Sequence, residues 1–540
     1  MISRAMVMPR SRCRRHAEGA KDRLQETARK GAQLVSLSLL SPASCDDRAM
    51  RRKGLSRRDV SEKVSDTVTG LADNHASSVP SVRGCPRARR GSAPRRGWPW
   101  TCGIRVAVAT AVVALPRAAH ASPEDVFGYG PRSAAMGGTG AASAQGFEAA
   151  WGNPALLSRM RERKLTLGYG GATFGLSRET AGVSTRHDTE AARGIFIGVD
   201  LPLPFGGFLK DRLGLALAFY TPSNLIVRGR LLFPERPQFP ILSERVQSLT
   251  VRSGLGVDLG HGLRIGGGFA ALAEIVGDVL VATDASGRVG TRVEDQLVTT
   301  FAPTLGATYD LPFWKGGRVG VTYRGKLDAR FEVLIDATKL SSLNIPVFNI
   351  SGLAQYDPSQ VAIEVAHEGK ERTVALGVTY KQWSAYGGPI EPTIPCPAGE
   401  EGCGALVPPN VAYADTVVVR AGLDEKLHLT TAAEGHVRVG AFFETSPVPS
   451  RLPTSDAFDL ASKTTGPVPT RYYDAARLAG TLGFGVSLKA PLPPLDLDVY
   501  TQLHLLLPRE ITSDLGGGAE EKTKVGGRLA VYGFLAGVRF

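Results

Sequence analysis

The sequence predicts an all-β fold: a transmembrane antiparallel β-barrel of about fourteen strands, with an N-terminal hatch plugging its lumen. Three observations lead there. The chain ends Tyr532-Gly533-Phe534-Leu535-Ala536-Gly537-Val538-Arg539-Phe540. Tyr532, Phe534, Ala536, Val538 and Phe540 share one face of a strand, and Gly533, Leu535, Gly537 and Arg539 the other. An apolar face closing on a terminal phenylalanine is the usual end of an outer-membrane barrel. From Arg163 onward the apolar residues recur with a period of two, and the connections between these runs alternate between short and long.

Strands are predicted near 163–175, 192–203, 212–222, 245–258, 263–283, 294–310, 318–335, 359–366, 372–383, 415–429, 435–445, 476–489, 495–507 and 525–540. In the seventh, Val319, Val321, Tyr323, Leu327, Phe331 and Val333 oppose Thr322, Arg324, Lys326, Asp328, Arg330 and Glu332. In the thirteenth, Leu495, Leu497, Val499, Leu503 and Leu505 oppose Asp496, Asp498, Tyr500, Gln502 and His504. Alternation alone fits a soluble sandwich as well as a barrel. Loop lengths decide, because short links follow the even-numbered strands, as periplasmic turns do in outer-membrane barrels. Aromatic residues at strand ends suit two interfacial girdles: Phe205, Phe313 and Trp314 on the short-turn side, and Tyr220, Tyr380, Trp383 and Tyr386 on the other.

The formal charge of +13 belongs to the N-terminal region. Residues 1–121 hold 24 Lys and Arg against 9 Asp and Glu, and the remainder is close to neutral. The basic balance therefore gives no reason to expect a nucleic-acid partner, which needs a basic face on a folded domain. Residues 82–121 read as a signal peptide region: Arg95, Arg96 and Arg105 precede the apolar run Val106–Leu115, and Ala119-His120-Ala121 offers a cleavage site. That run is about half the ~20 residues that a membrane-spanning helix needs. Residues 1–81 are Arg-, Ser- and Ala-rich without a sustained period, and read as a non-native leader from an early start codon or as a disordered one. Cys396 and Cys403 lie in a Pro/Gly-rich segment where a small disulfide loop would close in an oxidising compartment. Two thiols with no histidine nearby do not make a metal site, and neither a metal nor a cofactor is expected.

Residues 122–160 do not alternate. They are Gly/Ala-rich, carry Gly137-Gly138, and end in Trp151-Gly152-Asn153-Pro154-Ala155. Small residues permit close packing in a confined space, so this segment is expected to fold into the lumen ahead of a barrel over 161–540. A dinucleotide-binding loop is excluded because no strand precedes the glycines and no βαβ unit follows.

With this hatch, Asn153-Pro154-Ala155, Leu201-Pro202-Leu203-Pro204-Phe205, Val321-Thr322-Tyr323-Arg324, Lys381-Gln382-Trp383-Ser384, and Val437-Arg438-Val439-Gly440-Ala441 before Ser446-Pro447-Val448-Pro449, the chain resembles the FadL-like outer-membrane transporters of long-chain fatty acids and other hydrophobic compounds. The resemblance implies a fourteen-stranded barrel, a hatch that shifts to release ligand, and a lateral opening at a kinked third strand. Pro222 would be the place for such an opening, since proline cannot donate to the ladder; it equally well ends the strand. Leu225, Ile226, Val227, Leu231, Leu232, Phe233, Phe239 and Leu242 are numerous for an exposed loop and read as a ligand groove or as a loop packed on itself. Arg324 and Lys326 are candidates for a ligand carboxylate, against the alternative of an ion-pair ladder with Asp328, Arg330 and Glu332.

The expected function is passive uptake of a hydrophobic small-molecule ligand by a monomer set in outer-membrane lipid and lipopolysaccharide. The alternative is a barrel acting as an assembly or secretion-associated factor. Enzymatic activity is not expected, because His187, His261, His367, His428, His436 and His504 stand beside no nucleophile motif.

Overall fold

A computed structural model of the chain describes residues 128–223, 233–242, 249–283, 289–339, 348–390, 409–459 and 464–540. The leader, the signal region, Leu225, Ile226, Val227, Leu231, Leu232, Cys396 and Cys403 lie outside the described residues.

Fourteen antiparallel strands form the wall. They are β1 (Lys164–Thr180), β2 (Ala192–Pro202), β3 (Leu213–Pro222), β4 (Thr250–Gly260), β5 (Leu263–Thr283), β6 (Val289–Asp310), β7 (Gly317–Arg324), β8 (Gln360–Glu368), β9 (Arg372–Lys381), β10 (Thr416–Thr430), β11 (Ala433–Glu444), β12 (Arg477–Leu488), β13 (Leu495–Gly516) and β14 (Ala519–Arg539). Each pairs with its neighbour in sequence, and β14 closes on β1 from Lys164↔Arg539 to Thr180↔Thr523. Closure leaves no sheet edge in the wall, which is the condition for a β-structure to sit in lipid.

The faces divide as the alternation predicts. Phe534 (52% exposed) and Leu503 (50%) point outward, while Gln502 and Leu535 are buried inside. Val321, Leu376, Val419, Phe484 and Val538 extend the exposed apolar belt around the barrel. Such a belt is unstable in water and suits hydrocarbon, which makes this a bacterial outer-membrane barrel.

Two expectations are corrected. The seventh strand is not continuous over 318–335. It breaks at Gly325-Lys326, where the Gly325 amide donates to the Pro303 carbonyl (2.7 Å). The segment Leu327–Lys339 then leaves the wall to pair in parallel with β5 and antiparallel with Phe348–Asp357. Leu327, outward by simple alternation, is therefore buried. The second correction concerns the girdles: Phe205, Phe313, Trp314 and Tyr380 are exposed, but Tyr220, Trp383 and Tyr386 are buried inside.

On the lipid face, Leu503→Arg is expected to cost about 2–4 kcal/mol of folding free energy near the bilayer midplane. Equilibrium refolding into vesicles measures this; a cost below ~1 kcal/mol would place Leu503 away from the hydrocarbon.

Candidate functional site

Residues 128–160 fill the lumen nearer the short-turn ends of the strands. Local chemistry sets their shape. Pro131 starts a short helix, Pro131–Ala135, whose first amides are capped from a distance: Glu148 accepts from Arg132 N (2.9 Å) and Ser133 N (2.8 Å). Gly137 and Gly138, both at positive φ (69° and 74°), then turn the chain back, and Gly138 N bonds to Ser133 O (2.8 Å). Asn153 caps the 3₁₀ segment Pro154–Arg159, its Oδ1 accepting from Ala155 N (3.0 Å), and Pro154 takes the first helical position.

What seats this segment is a row of glycines in the wall. Gly214 pairs with Gly256, Gly256 with Gly266 and Gly266 with Gly306, so four neighbouring strands present bare backbone side by side. A Cβ at Gly256 would run into the Pro154 carbonyl and the Ser158 amide, one at Gly266 into the Pro154–Ala155 peptide, and one at Gly306 into the Asn153 side chain. A second pair, Gly422 and Gly440, gives the same close approach to Met136 and Gly137. Gly320 does so for Ala141.

Polar groups complete the attachment. The fully buried Asn153 amide donates to Ala141 O (2.7 Å) within the hatch and to Ala307 O (3.1 Å) and Val321 O (3.2 Å) of β6 and β7. From the wall, Thr322 donates to Gly152 O (2.6 Å), Thr481 to Ala135 O (2.6 Å) and Gln502 to Ala134 O (2.8 Å). Glu364 of β8 accepts from Gly140 N (2.6 Å), Ala141 N (3.0 Å), Ala142 N (3.1 Å) and Ser143 Oγ (2.6 Å). Arg132 pairs with Asp424 of β10 (2.9 Å), which also meets His436 (3.0 Å). Between hatch and wall remains a polar cavity of about 30 Å³, lined by Gly138, Gly140, Glu364, Gly377 and Arg420 among others. With Glu364 in place it has room for about two waters and not for a whole fatty-acid-sized ligand.

The residues singled out from sequence divide accordingly. Gly137, Gly138, Asn153, Pro154 and Ala155 all lie in the seated hatch. Arg324 belongs to the seat as well: its guanidinium donates to Trp151 O (3.1 Å), bonds Gln360 (3.0 Å) and stacks on the Trp151 ring at 4.2 Å, as does Arg252. Lys326 pairs with Asp328 (3.2 Å), as the ladder reading has it. Pro222 is the last residue of β3, opposite Gly194 of β2; β3 pairs with β2 up to that residue and with β4 from Leu213 to Tyr220. Phe233 is exposed, whereas Phe239 and Leu242 are buried where the loop crosses the mouth, with Gln238 bonded to the Arg471–Tyr473 segment. The sequence reading missed Glu364, Glu148, Thr322, Thr481, Gln502 and the glycine row. Glycines on the inward face of long strands carried that signal.

No protein-family model and no curated protein sequence matches this chain. Among solved structures it is similar to a Pseudomonas aeruginosa FadL homologue (15% identity, 79% of this chain and 99% of that one, TM-score 0.49). It is also similar to the P. putida toluene transporter TodX (15%, 77% and 99%, TM-score 0.46) and to the CymD monoaromatic hydrocarbon channel (14%, 77% and 98%, TM-score 0.42). These neighbours are FadL-like transporters and channels. At these identities the likeness is one of architecture.

Two outcomes follow from the seat. Gly256→Val or Gly266→Val should leave barrel insertion intact and expose residues 128–160 to protease, while Gly480→Val, where a Cβ meets nothing within 4 Å, should change neither. Equal protection in all three variants would refute close seating. The second outcome concerns pH. Burial pushes Glu148 up from 4.5 to about 7, against the Arg132 and Ser133 amides and the Arg132 and Arg438 charges that pull it down. The folded hatch then holds a proton that the released hatch gives up, so the stabilisation is complete below pH ~4.5 and is lost as pH rises through about 7. Hydrogen exchange of the hatch should quicken from pH 5 to pH 8 after correction for intrinsic exchange, and Glu148→Gln should flatten that slope; an unchanged slope would remove Glu148 as its source.

Proposed function

We propose that this barrel carries hydrophobic small molecules, long-chain fatty acids among them, passively across the outer membrane, with the seated hatch as its gate. One observation carries the reading. A buried cluster runs inside the barrel from Phe239, Tyr472 and Tyr473 at the long-loop end to Tyr129, Phe147 and Trp151 of the hatch. Edge-to-face contacts such as Tyr129–Phe147 (5.9 Å) and Phe239–Tyr473 (6.1 Å) tie it together. A lumen for ions or sugars is polar and open. An interior of aromatic and aliphatic side chains above a closed floor suits a ligand that leaves water.

On this reading, the connection carrying Leu225, Ile226, Val227, Leu231, Leu232 and Phe233 is where ligand first meets the protein. It then moves among the lumenal aromatics and passes the floor when the hatch shifts. The step is downhill partitioning between apolar surfaces, so it needs no cofactor.

The test is uptake of labelled oleate and labelled toluene by cells lacking their own transporters and expressing this chain, beside an Asn153→Ala/Pro154→Ala variant. Saturable uptake that the variant changes several-fold is the expected result. No uptake of either compound by a barrel shown to be inserted would overturn the reading and favour an assembly factor with a protein partner.

A further inference from the structure

The backbone of Gly140–Ser143 has the form of an anion receptor. Three successive amides and one hydroxyl converge on a single carboxylate, and backbone concavities of this kind bind phosphates and carboxylates elsewhere in proteins. Here the occupant is supplied by the wall. Glu364 is 3% exposed and takes all four donors at 2.6–3.1 Å. Its lateral neighbours on β7 and β9 are Gly320 and Gly377, so no side chain from either strand crowds it at its own level.

The contact is also placed where exchange is feasible. The polar cavity of about 30 Å³ borders Gly140, Ala141 and Glu364 themselves, and Arg420 lines it too. Asn153-Pro154-Ala155, by contrast, is set backbone-to-backbone on the glycine row. Of the two attachments, the Glu364 clasp is held by side-chain hydrogen bonds and borders this free volume.

We propose that Gly140–Ser143 is an exchangeable carboxylate site whose resting occupant is Glu364, and that a ligand carboxylate unlatches the hatch by taking Glu364's place. This deepens the transport reading above and rests on it for the ligand, but the site itself is tested without transport. Exchange conserves hydrogen bonds in the hatch: the four donors keep a carboxylate, and Glu364 is released toward Arg420 and the cavity. An apolar ligand without a carboxylate has no means to compete.

The experiment is amide hydrogen exchange over residues 138–145 in the full chain in detergent or nanodiscs. In Glu364→Ala, exchange at Gly140–Ala142 should rise at least about tenfold, the loss of one charge-assisted contact, and formate should restore protection where chloride of equal ionic strength does not. In the wild type, octanoate should speed exchange at these amides and octanol should not. Formate without effect on Glu364→Ala would overturn the receptor, and octanol acting as strongly as octanoate would overturn the exchange. If Glu364→Ala does not fold, Glu364→Gln replaces it: one oxygen still accepts while the amide group opposes the N–H donors, so raised exchange is expected and unchanged exchange counts against the site. Because no arm measures uptake, failure here is distinct from failure of the transport reading.

Discussion

The structure depends on bringing an irregular segment of chain into backbone contact with the inside of a barrel. Residues 128–160 form only short helical turns, so most of their amides and carbonyls find no partner within the segment. Burying such groups unpaired costs about 1–3 kcal/mol each, and the barrel interior offers little bulk water to relieve them. Both problems are solved from the wall. Glycines remove the side chains that would hold the segment away, and Glu364, Thr322, Thr481 and Gln502 reach its orphan groups. Neither solution works alone. Bare backbone without those side chains would leave polar atoms unsatisfied, and the side chains without the glycines would hold the hatch out of reach.

The two solutions are unevenly distributed, and this gives the hatch its character. Around Asn153-Pro154-Ala155 the backbone lies directly against Gly256, Gly266 and Gly306, and the Asn153 amide adds hydrogen bonds to Ala307 O and Val321 O. Around Pro131–Ser143 Gly320, Gly422 and Gly440 also allow close approach, and charged, hydroxyl and carboxamide side chains of β8, β10, β12 and β13 carry more of the attachment. Steric seats are stiff and short-ranged, whereas hydrogen-bonded ones exchange partners. A plug that must stay in place at rest and yield to ligand benefits from having both.

Much of the barrel was legible in the sequence because lipid imposes a rule on every strand. Tyr532, Phe534 and Val538 face hydrocarbon, and Gln502 and His504 face the lumen, for the same reason of period two. Where the rule stops, so did the reading. Gly325-Lys326 continues the alternation yet breaks the strand, because a bond to Pro303 and pairing with β5 compete with the ladder. Tyr220, Trp383 and Tyr386 sit where interfacial aromatics belong, but a polar tip on an apolar ring suits a lumen as well as a headgroup layer. The hatch was visible as composition, and its seat was not, since Gly214, Gly256, Gly266 and Gly306 are scattered over nearly a hundred residues and become a row only once strand register is known. Arg324 stood out as an inward arginine, a candidate for a carboxylate or an ion-pair ladder; its contact with the indole and carbonyl of Trp151 was not legible, because the hatch's position against β7 is set by the fold.

Ion conductance of the barrel in planar bilayers tests most directly the claim that the seated hatch closes the lumen. The wild type should show no large steady conductance, and the same barrel lacking residues 128–160 should open to a persistent ionic current. A wild-type barrel that conducts steadily, or a hatch-free barrel that stays closed, would contradict the account.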